Sequence, residues 1–175
     1  KPWFASLMGI GIAAATYGPL AVAAPAWPSK PIRLIVAGPA GGSADMLARV
    51  LADGLTASLN TPVIVESKQG ASGAIAINDL KMNGKDGHTF LVIQSGAVTE
   101  VPLAYKVNYK PFADLKPLAQ ISRTALVLVA NKELQLNNLQ EVVKYGQAQK
   151  GGVDFASYAT GMRGHTSGIL LGQLT

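Results

Sequence analysis

The chain contains no cysteine and only two histidines among its 175 residues, and aromatic and charged residues are sparse, at 6% and 14%. Without cysteine the chain folds without disulfides and relies on its core. Two histidines with no clustered carboxylates beside them supply no ligand set for a transition metal. Neither His88 nor His165 is accompanied by a nucleophile–base–acid arrangement, so the sequence offers no catalytic residues. The net charge of +5 is modest, and Lys and Arg stand singly, without a basic block or interleaved aromatics. Nucleic-acid binding therefore has little support, while attraction of small anions is compatible with the balance.

What the chain does have begins with an uncharged, Ala-rich stretch from Phe4 to Ala26 behind Lys1, ending in Ala21-Val22-Ala23 and Ala24-Pro25-Ala26. A positive start, an apolar centre and small-residue endings read as a secretory signal peptide over residues 1–26. The alternative is a transmembrane anchor, but Gly9, Gly11, Gly18 and Pro19 interrupt the run and leave it short for a membrane span. Removal of the leader leaves about 150 residues, starting near Ala24 or Trp27, enough for one domain.

The run Pro31 to Asp45, PIRLIVAGPAGGSAD, predicts a strand, a Gly-rich turn and a helix start in succession. Ile32, Leu34, Ile35 and Val36 form the apolar run of a strand covered on both faces. Gly38, Pro39, Gly41 and Gly42 break it, and Ser43 is a suitable N-cap for the helix that follows. Such a turn presents unpaired N–H groups beside a glycine surface, which suits an anion. The turn lacks the Lys-Ser/Thr pair of a P-loop and the spacing of a dinucleotide fingerprint. A carboxylate fits it better than a pyrophosphate.

Periodicity then predicts a helix over 43–60 with Leu47, Val50, Leu51, Leu55 and Leu59 inward, and a strand over 62–66. A helix over 74–82 with Ile77 and Leu80 inward and a strand over 88–94 follow. This repeated β-loop-α order argues for a mainly parallel sheet with helices on both faces. Further strands are expected at 117–122, 125–130 and 153–157. A helix capped by Asn137 or Asn138 runs to Gln149, and a last one starts at His165. The chain stops inside the apolar pattern ILLGQLT, so it is expected to be the front part of a longer protein.

Five stretches, WPSKPIRLIV, PAGGSAD, VIVESKQGASG, KDGHTFLV and VDFASYATGMRGHTSG, occur in this order from Trp27 onward. Together they resemble the substrate-binding receptors of tripartite tricarboxylate transporters, the TctC or Bug family of periplasmic proteins. The resemblance implies an α/β, type II-like periplasmic-binding-protein fold with two lobes, the ligand held in the cleft. The first lobe would comprise residues 27–122 plus a missing C-terminal part, and the second would begin at 123 and be cut off at 175. A ligand carboxylate would meet Pro39, Gly41, Gly42, Ser43 and Asp45, with Gly73, Ser95 and Gly96 lining the same lobe. A second carboxylate would meet Ser157, Thr160, Gly161 and His165. The implied partners are a small di- or tricarboxylate or amino-acid-like anion and the membrane components of the transporter. The implied protein is a monomer when full length, with no cofactor and no chemistry on the ligand.

The sequence departs from the family pattern at four places. Gly38 stands where an aromatic is common, Ala37 where Pro is common, Ala159 where Gly is frequent, and Arg163 where a small hydroxyl residue is frequent. Two other readings stay open: an α/β enzyme holding an anionic substrate at the Gly-rich turn, and a truncated gene product without function. Among single residues, Asp45 either contacts a ligand amino group or serves the helix macrodipole. His165 is a ligand contact or a cap. Arg163 faces solvent or forks onto a second carboxylate.

Overall fold

A computed structural model describes residues 26–174. The leader predicted for residues 1–26 falls outside the described residues apart from Ala26. Among the described residues no helix is long and apolar enough to cross a membrane.

Strand β1 (Ile32–Val36) lies at the centre of a three-stranded parallel sheet, between β2 (Val63–Ser67) and β3 (Thr89–Val92). Leu34 is in register with Val65 on one side and Phe90 on the other. Both faces of β1 are covered, which explains its unbroken apolar run. Ile32, Leu34 and Val36 pack against helix α1 (Ser43–Leu59) through Ala48, Ala52, Leu51 and Leu59. The alternate residue Arg33 points to the opposite face, toward Asp79 of helix α2 (Ala74–Asn83).

Two predicted details of α1 are corrected. Gly42, not Ser43, is the N-cap, because its carbonyl accepts the Met46 N–H (2.9 Å) and Ser43 is already the first helical residue. The inward stripe runs through Asp45, Ala48 and Ala52, with Leu51, Leu55 and Leu59 half-buried, while Leu47 and Val50 (73% exposed) face outward. Alanines let the helix approach the sheet closely, so the buried face follows the small residues rather than the largest apolar ones. In α2, Ala76 and Ile77 are buried and Leu80 is half-buried.

On the α2 side, Arg33 binds Glu66 of β2 with two bonds of 2.8 and 2.7 Å. Asp79 is paired with both Lys68 and Arg33, and accepts a bond from Asn83 (2.7 Å). The charge of this face is thus internally matched.

After β3 come three short helices, α3 (Gly96–Thr99), α4 (Val101–Ala104) and α5 (Pro111–Asp114). The buried Tyr109 hydroxyl donates to the Ala97 carbonyl (2.5 Å) and pins this connection. Helix α6 (Leu139–Ala148) starts where expected. Asn138 caps it by accepting the Glu141 N–H (2.9 Å), and Glu141 in turn accepts from the Asn137 N–H (2.6 Å), a reciprocal arrangement of the capping-box kind. Helix α7 (Arg163–Leu174) begins two residues before the predicted His165, its Thr166 N–H bonding to Met162 (3.0 Å).

The strands expected at 117–122, 125–130 and 153–157 are not formed. Their composition favours extended backbone, but a strand also needs a neighbour to complete its hydrogen bonds. No other strand of the described residues pairs with them, and Val127 and Val129 remain about four-fifths exposed.

Candidate functional site

In an open parallel sheet, a ligand crevice forms beyond the carboxyl ends of the strands, where successive connections leave in opposite directions. The order β2-β1-β3 places that point between β1 and β3. The loops that emerge there are 37–42 after β1 and 93–95 after β3, flanked by 68–73 after β2. They are close-packed around Gly73. A Cβ added to it would lie 3.1 Å from Ile93 Cδ1, 3.2 Å from Ala97 Cβ and 3.7 Å from Ala37 Cβ, and its φ of +98° disfavours any side chain. The Ala37 N–H donates to the Val92 carbonyl (3.0 Å), so the first loop stays attached to β3 as it leaves the sheet.

Asp45 locks the Gly-rich turn. It is 2% exposed and accepts four bonds: from the Gly41 N–H (2.9 Å), from Arg49 Nε (2.9 Å) and an Arg49 terminal nitrogen (3.2 Å), and from the Ser67 hydroxyl (2.8 Å). The Arg49 guanidinium, then the Gly41 N–H and Ser67 hydroxyl, hold its carboxyl at about 2. A ligand amino group would have to compete with these four donors.

Two of the three N–H groups expected to face an anion are spent within the turn, Gly41 on Asp45 and Gly42 on the Pro39 carbonyl (3.1 Å). The third, on Ser43, opens the first turn of α1, where N–H groups lack intrahelical partners. No side chain caps that helix end. Pro39 and Ser43 are exposed and Gly42 is half-buried beside them.

The turn before α7 docks onto the same region. The Ser72 hydroxyl donates to the Thr160 carbonyl (2.9 Å), next to Gly73. Met162 is buried with Ala97 and Val101, and Ile93, Val107 and Ala159 pack around them. A Cβ on Gly161 would meet the Tyr105 ring at 2.6 Å. The Gly161 N–H donates to Nδ1 of His165 (3.2 Å), so this histidine caps its own turn through its unprotonated nitrogen. Arg163 reaches back to Glu100 (3.1 Å).

Of the predicted residues, Gly73 and Gly96 lie beside Ala97 and Met162 respectively, and Thr160 is bonded to Ser72 next to Gly73, while those of 39–45 follow Ala37, which approaches Gly73. Ser95 is exposed, and its carbonyl caps α3 by accepting from the Val98 and Thr99 N–H groups. Ser157 is exposed and lies against Gly164 instead of the Gly73 cluster. Arg49, Ser67, Tyr105 and Glu100 were not among the residues expected from the sequence, whereas Ser72 lies in the turn 69–73 expected to line the lobe. The Asp45/Arg49 spacing of four on a helix was a local signal for the first; the others are set by tertiary contact.

A second cleft, of about 570 Å³, lies at the other end of the sheet, lined by Lys30, Arg33, Ile64, Met82, Lys85 and His88 among others. Several of its polar groups are already engaged: Arg33 by Glu66, and Lys30 by Asp86 (2.5 Å). His88 accepts the Ser29 N–H (3.1 Å) on one ring nitrogen and bonds the Asp86 carbonyl (2.9 Å) with the other. Among the described residues no group of three or more His, Asp or Glu side chains is placed to hold a metal ion.

Residues 47–170 match the model of the tripartite tricarboxylate transporter family receptor. The chain belongs to this receptor family. The matched stretch begins two residues after Asp45 and includes Gly73, Gly96 and the whole turn before α7. Protein BugT of Bordetella pertussis is 40% identical over 159 residues, which is 89% of this chain and 49% of that protein. A protein encoded in the gbd 5′ region of Cupriavidus necator is 33% identical over 158 residues, covering 88% and 48%. The chain thus spans about half the length of the curated relatives it matches. Among solved structures, MatC from Rhodopseudomonas palustris with bound malate superposes with a TM-score of 0.63 at 27% identity, over 70% of this chain and 42% of that one. The periplasmic binding protein BugD superposes with a TM-score of 0.61 at 24% identity, over 85% and 50%. The α/β fold expected from the resemblance is therefore the observed one, represented here in part.

Proposed function

We propose that this member of the receptor family forms part of a periplasmic solute receptor. It captures a small carboxylate and presents it to the membrane components of a tripartite transporter, with no chemistry on the ligand. The observation that carries the reading is the uncapped N-terminus of α1, set at the switch point of a parallel sheet and fixed there by Asp45. The partial positive charge of a helix start, with unspent N–H groups, binds a carboxylate without a dedicated side chain. Malate bound to the related MatC supports the choice of a di- or tricarboxylate over a phosphate ester. The turn of 157–165 faces the same region and supplies the second side of the clamp, with residues up to 122 in one lobe and those from 123 onward in the next. Export through the leader places the protein in the periplasm, and the full-length receptor acts as a monomer.

A thermal-shift screen of the leader-free, full-length protein tests this, using C3–C6 mono-, di- and tricarboxylates, amino acids and aromatic acids. Ligand at a hundred times its dissociation constant stabilises by about 2.7 kcal/mol, a readily visible rise in Tm. A selective rise with one group of carboxylates supports the receptor reading. A well-folded protein that responds to none of them returns weight to an enzyme using the turn for another anion.

A further inference from the structure

The segment ahead of β1, residues 26–31, is exposed apart from a half-buried Pro28, and polar ties attach it to the turn before β3. The Trp27 indole Nε1 donates to the Gly87 carbonyl (3.0 Å), and the Trp27 ring centre lies 6.1 Å from that of His88. Lys30 pairs with Asp86. A further tie runs through His88, which is buried. Its Nε2 faces the Ser29 N–H (3.1 Å) and its Nδ1 the Asp86 carbonyl (2.9 Å). A backbone N–H only donates and a carbonyl only accepts, so Nε2 is bare and Nδ1 carries the proton. These partners define a neutral ring. A second proton would enter at Nε2 and set one donor against another.

We propose that His88 is a pH-sensitive latch: the neutral ring holds the segment 26–31 against the turn before β3, and protonation releases it. Ser29 Oγ stands 3.5 Å from Nε2, but an Nε2–H turned toward it still leaves the Ser29 N–H facing a donor. Asp86 Oδ1 lies 3.9 Å from Nδ1 and attracts an imidazolium, while the other Asp86 oxygen is taken by Lys30. Arg33 of β1, Glu66 of β2 and Lys85 share the cleft with His88, to which α2 contributes Met82 and Asn83. The Lys30 ammonium and then the His88 backbone N–H keep the Asp86 carboxyl below its ordinary range, and Arg33 does the same for Glu66. Both therefore stay ionised from pH 8 to 5, the window in which histidine changes its charge. A segment with so few buried contacts opens at little cost. The strand it leads into does not depend on the ring: the Arg33 N–H donates to the His88 carbonyl (2.8 Å) and the Ile32 N–H to the Pro62 carbonyl (2.9 Å). Release thus frees the Lys30 side of the cleft and leaves the sheet intact. The latch lies at the opposite end of the sheet from the Gly-rich turn, so it stands independently of the carboxylate-receptor reading.

The experiment follows single amides of the full-length, leader-free protein by NMR hydrogen exchange from pH 8 to 5, each rate corrected for its intrinsic pH dependence. The Ser29 amide loses protection by about fivefold or more as the pH falls, the worth of one net hydrogen bond. The Arg33 amide, bonded to the carbonyl of the same histidine, keeps its protection. The nitrogen chemical shifts of the His88 ring report the proton directly: Nε2 is bare at pH 8 and becomes protonated with the same midpoint as the loss at Ser29. His88→Gln, whose side-chain oxygen accepts from Ser29 at every pH, holds the protection constant. The amide and ring readings use the wild type alone and stand whether or not the glutamine variant folds. Unchanged protection at Ser29, or a ring midpoint that differs from that of Ser29, overturns the inference. So does a parallel loss at Arg33, which would mean that acid loosens the sheet as a whole, or a pH-dependent loss that persists in folded His88→Gln.

Discussion

Proline at position 43 separates the anion-binding role of the turn from its folding role. Ser43 is the first residue of α1, and proline is favoured there because its missing N–H has no helical partner to lose. The residue before a proline must be extended, and Gly42 already is, with φ −72° and ψ 167°. The first helical bond, from the Met46 N–H to the Gly42 carbonyl, does not involve the Ser43 nitrogen. Folding stability should therefore stay level or rise by about 0.4–1 kcal/mol through the stiffer unfolded chain. Ligand binding should weaken, because a hydrogen bond to a charged acceptor is worth about 1.5–3 kcal/mol. That corresponds to a roughly ten- to hundredfold higher Kd. Calorimetric titration with the carboxylate that the thermal screen identifies reads the affinity, and a urea melt reads the stability, both on the full-length protein. Undiminished affinity in a variant of unchanged stability would show that the turn is not the anion site. A loss of both together would show that Gly42–Ser43 geometry differs from that described.

Three further perturbations have expected outcomes. Gly54→Ala, in the middle of α1 with open space around its missing Cβ, should stabilise by about 0.5–1 kcal/mol in a denaturant melt. Gly73→Ala should destabilise by about 2–5 kcal/mol, combining positive-φ strain with the close approaches to Ile93 and Ala97, and should weaken the ligand as the loops move apart. Acid should destabilise the protein through Asp45, Glu66 and Asp79, whose carboxyls are all lowered. For Asp45 the first cause is Arg49, for Glu66 Arg33 and for Asp79 Lys68. Depressed acid groups contribute stability above their unfolded pKa and lose it as pH falls through the folded one. For Asp45 that window runs from 3.8 down to about 2, and Asp45→Asn should flatten this part of the stability–pH curve.

How much was legible before the structure depends on whether a property is local. Ile32 to Val36, the Gly-rich turn and the first helix could be read because strand, turn and helix signals are carried by adjacent residues. The cap of α6 was legible to within one residue, Asn137 or Asn138, for the same reason, and the structure selects Asn138. Apolar periodicity shows that a face exists, but the sheet decides which residues it covers, so Ala48 and Ala52 took the place given to Leu47 and Val50. The segments 117–122, 125–130 and 153–157 show the opposite limit: their composition suggested strands that the structure does not form, because pairing depends on a neighbour that propensity does not report. At the candidate site, the glycines and Ser43 were visible as a turn. The Ser72–Thr160 and Glu100–Arg163 links join residues 88 and 63 positions apart, and no local pattern could announce them.

The arrangement of Asp45 raises a physical difficulty that Arg49 resolves, and it can be tested. A carboxylate in the first turn of α1 favours the helix dipole, but it also places a negative charge beside the point where a ligand carboxylate would sit. Arg49 answers it with two bonds, to both Asp45 oxygens, so the turn presents N–H groups without a net negative field. Arg49→Gln removes that compensation. Its side chain is 57% exposed but Asp45 is 2% exposed, so the variant also loses stability, with the Gly41 N–H and Ser67 hydroxyl left to hold the carboxylate, and the ligand meets an uncancelled charge. The affinity should fall by about fivefold or more, the aqueous limit for like unit charges about 4 Å apart. The distinguishing property is salt: the deficit relative to wild type should shrink between low and high ionic strength, because added ions screen a charge but do not repair a displaced turn. A deficit that stays constant with salt would mean that Arg49 acts by holding the turn in shape, and that the charge of Asp45 is not felt at the site.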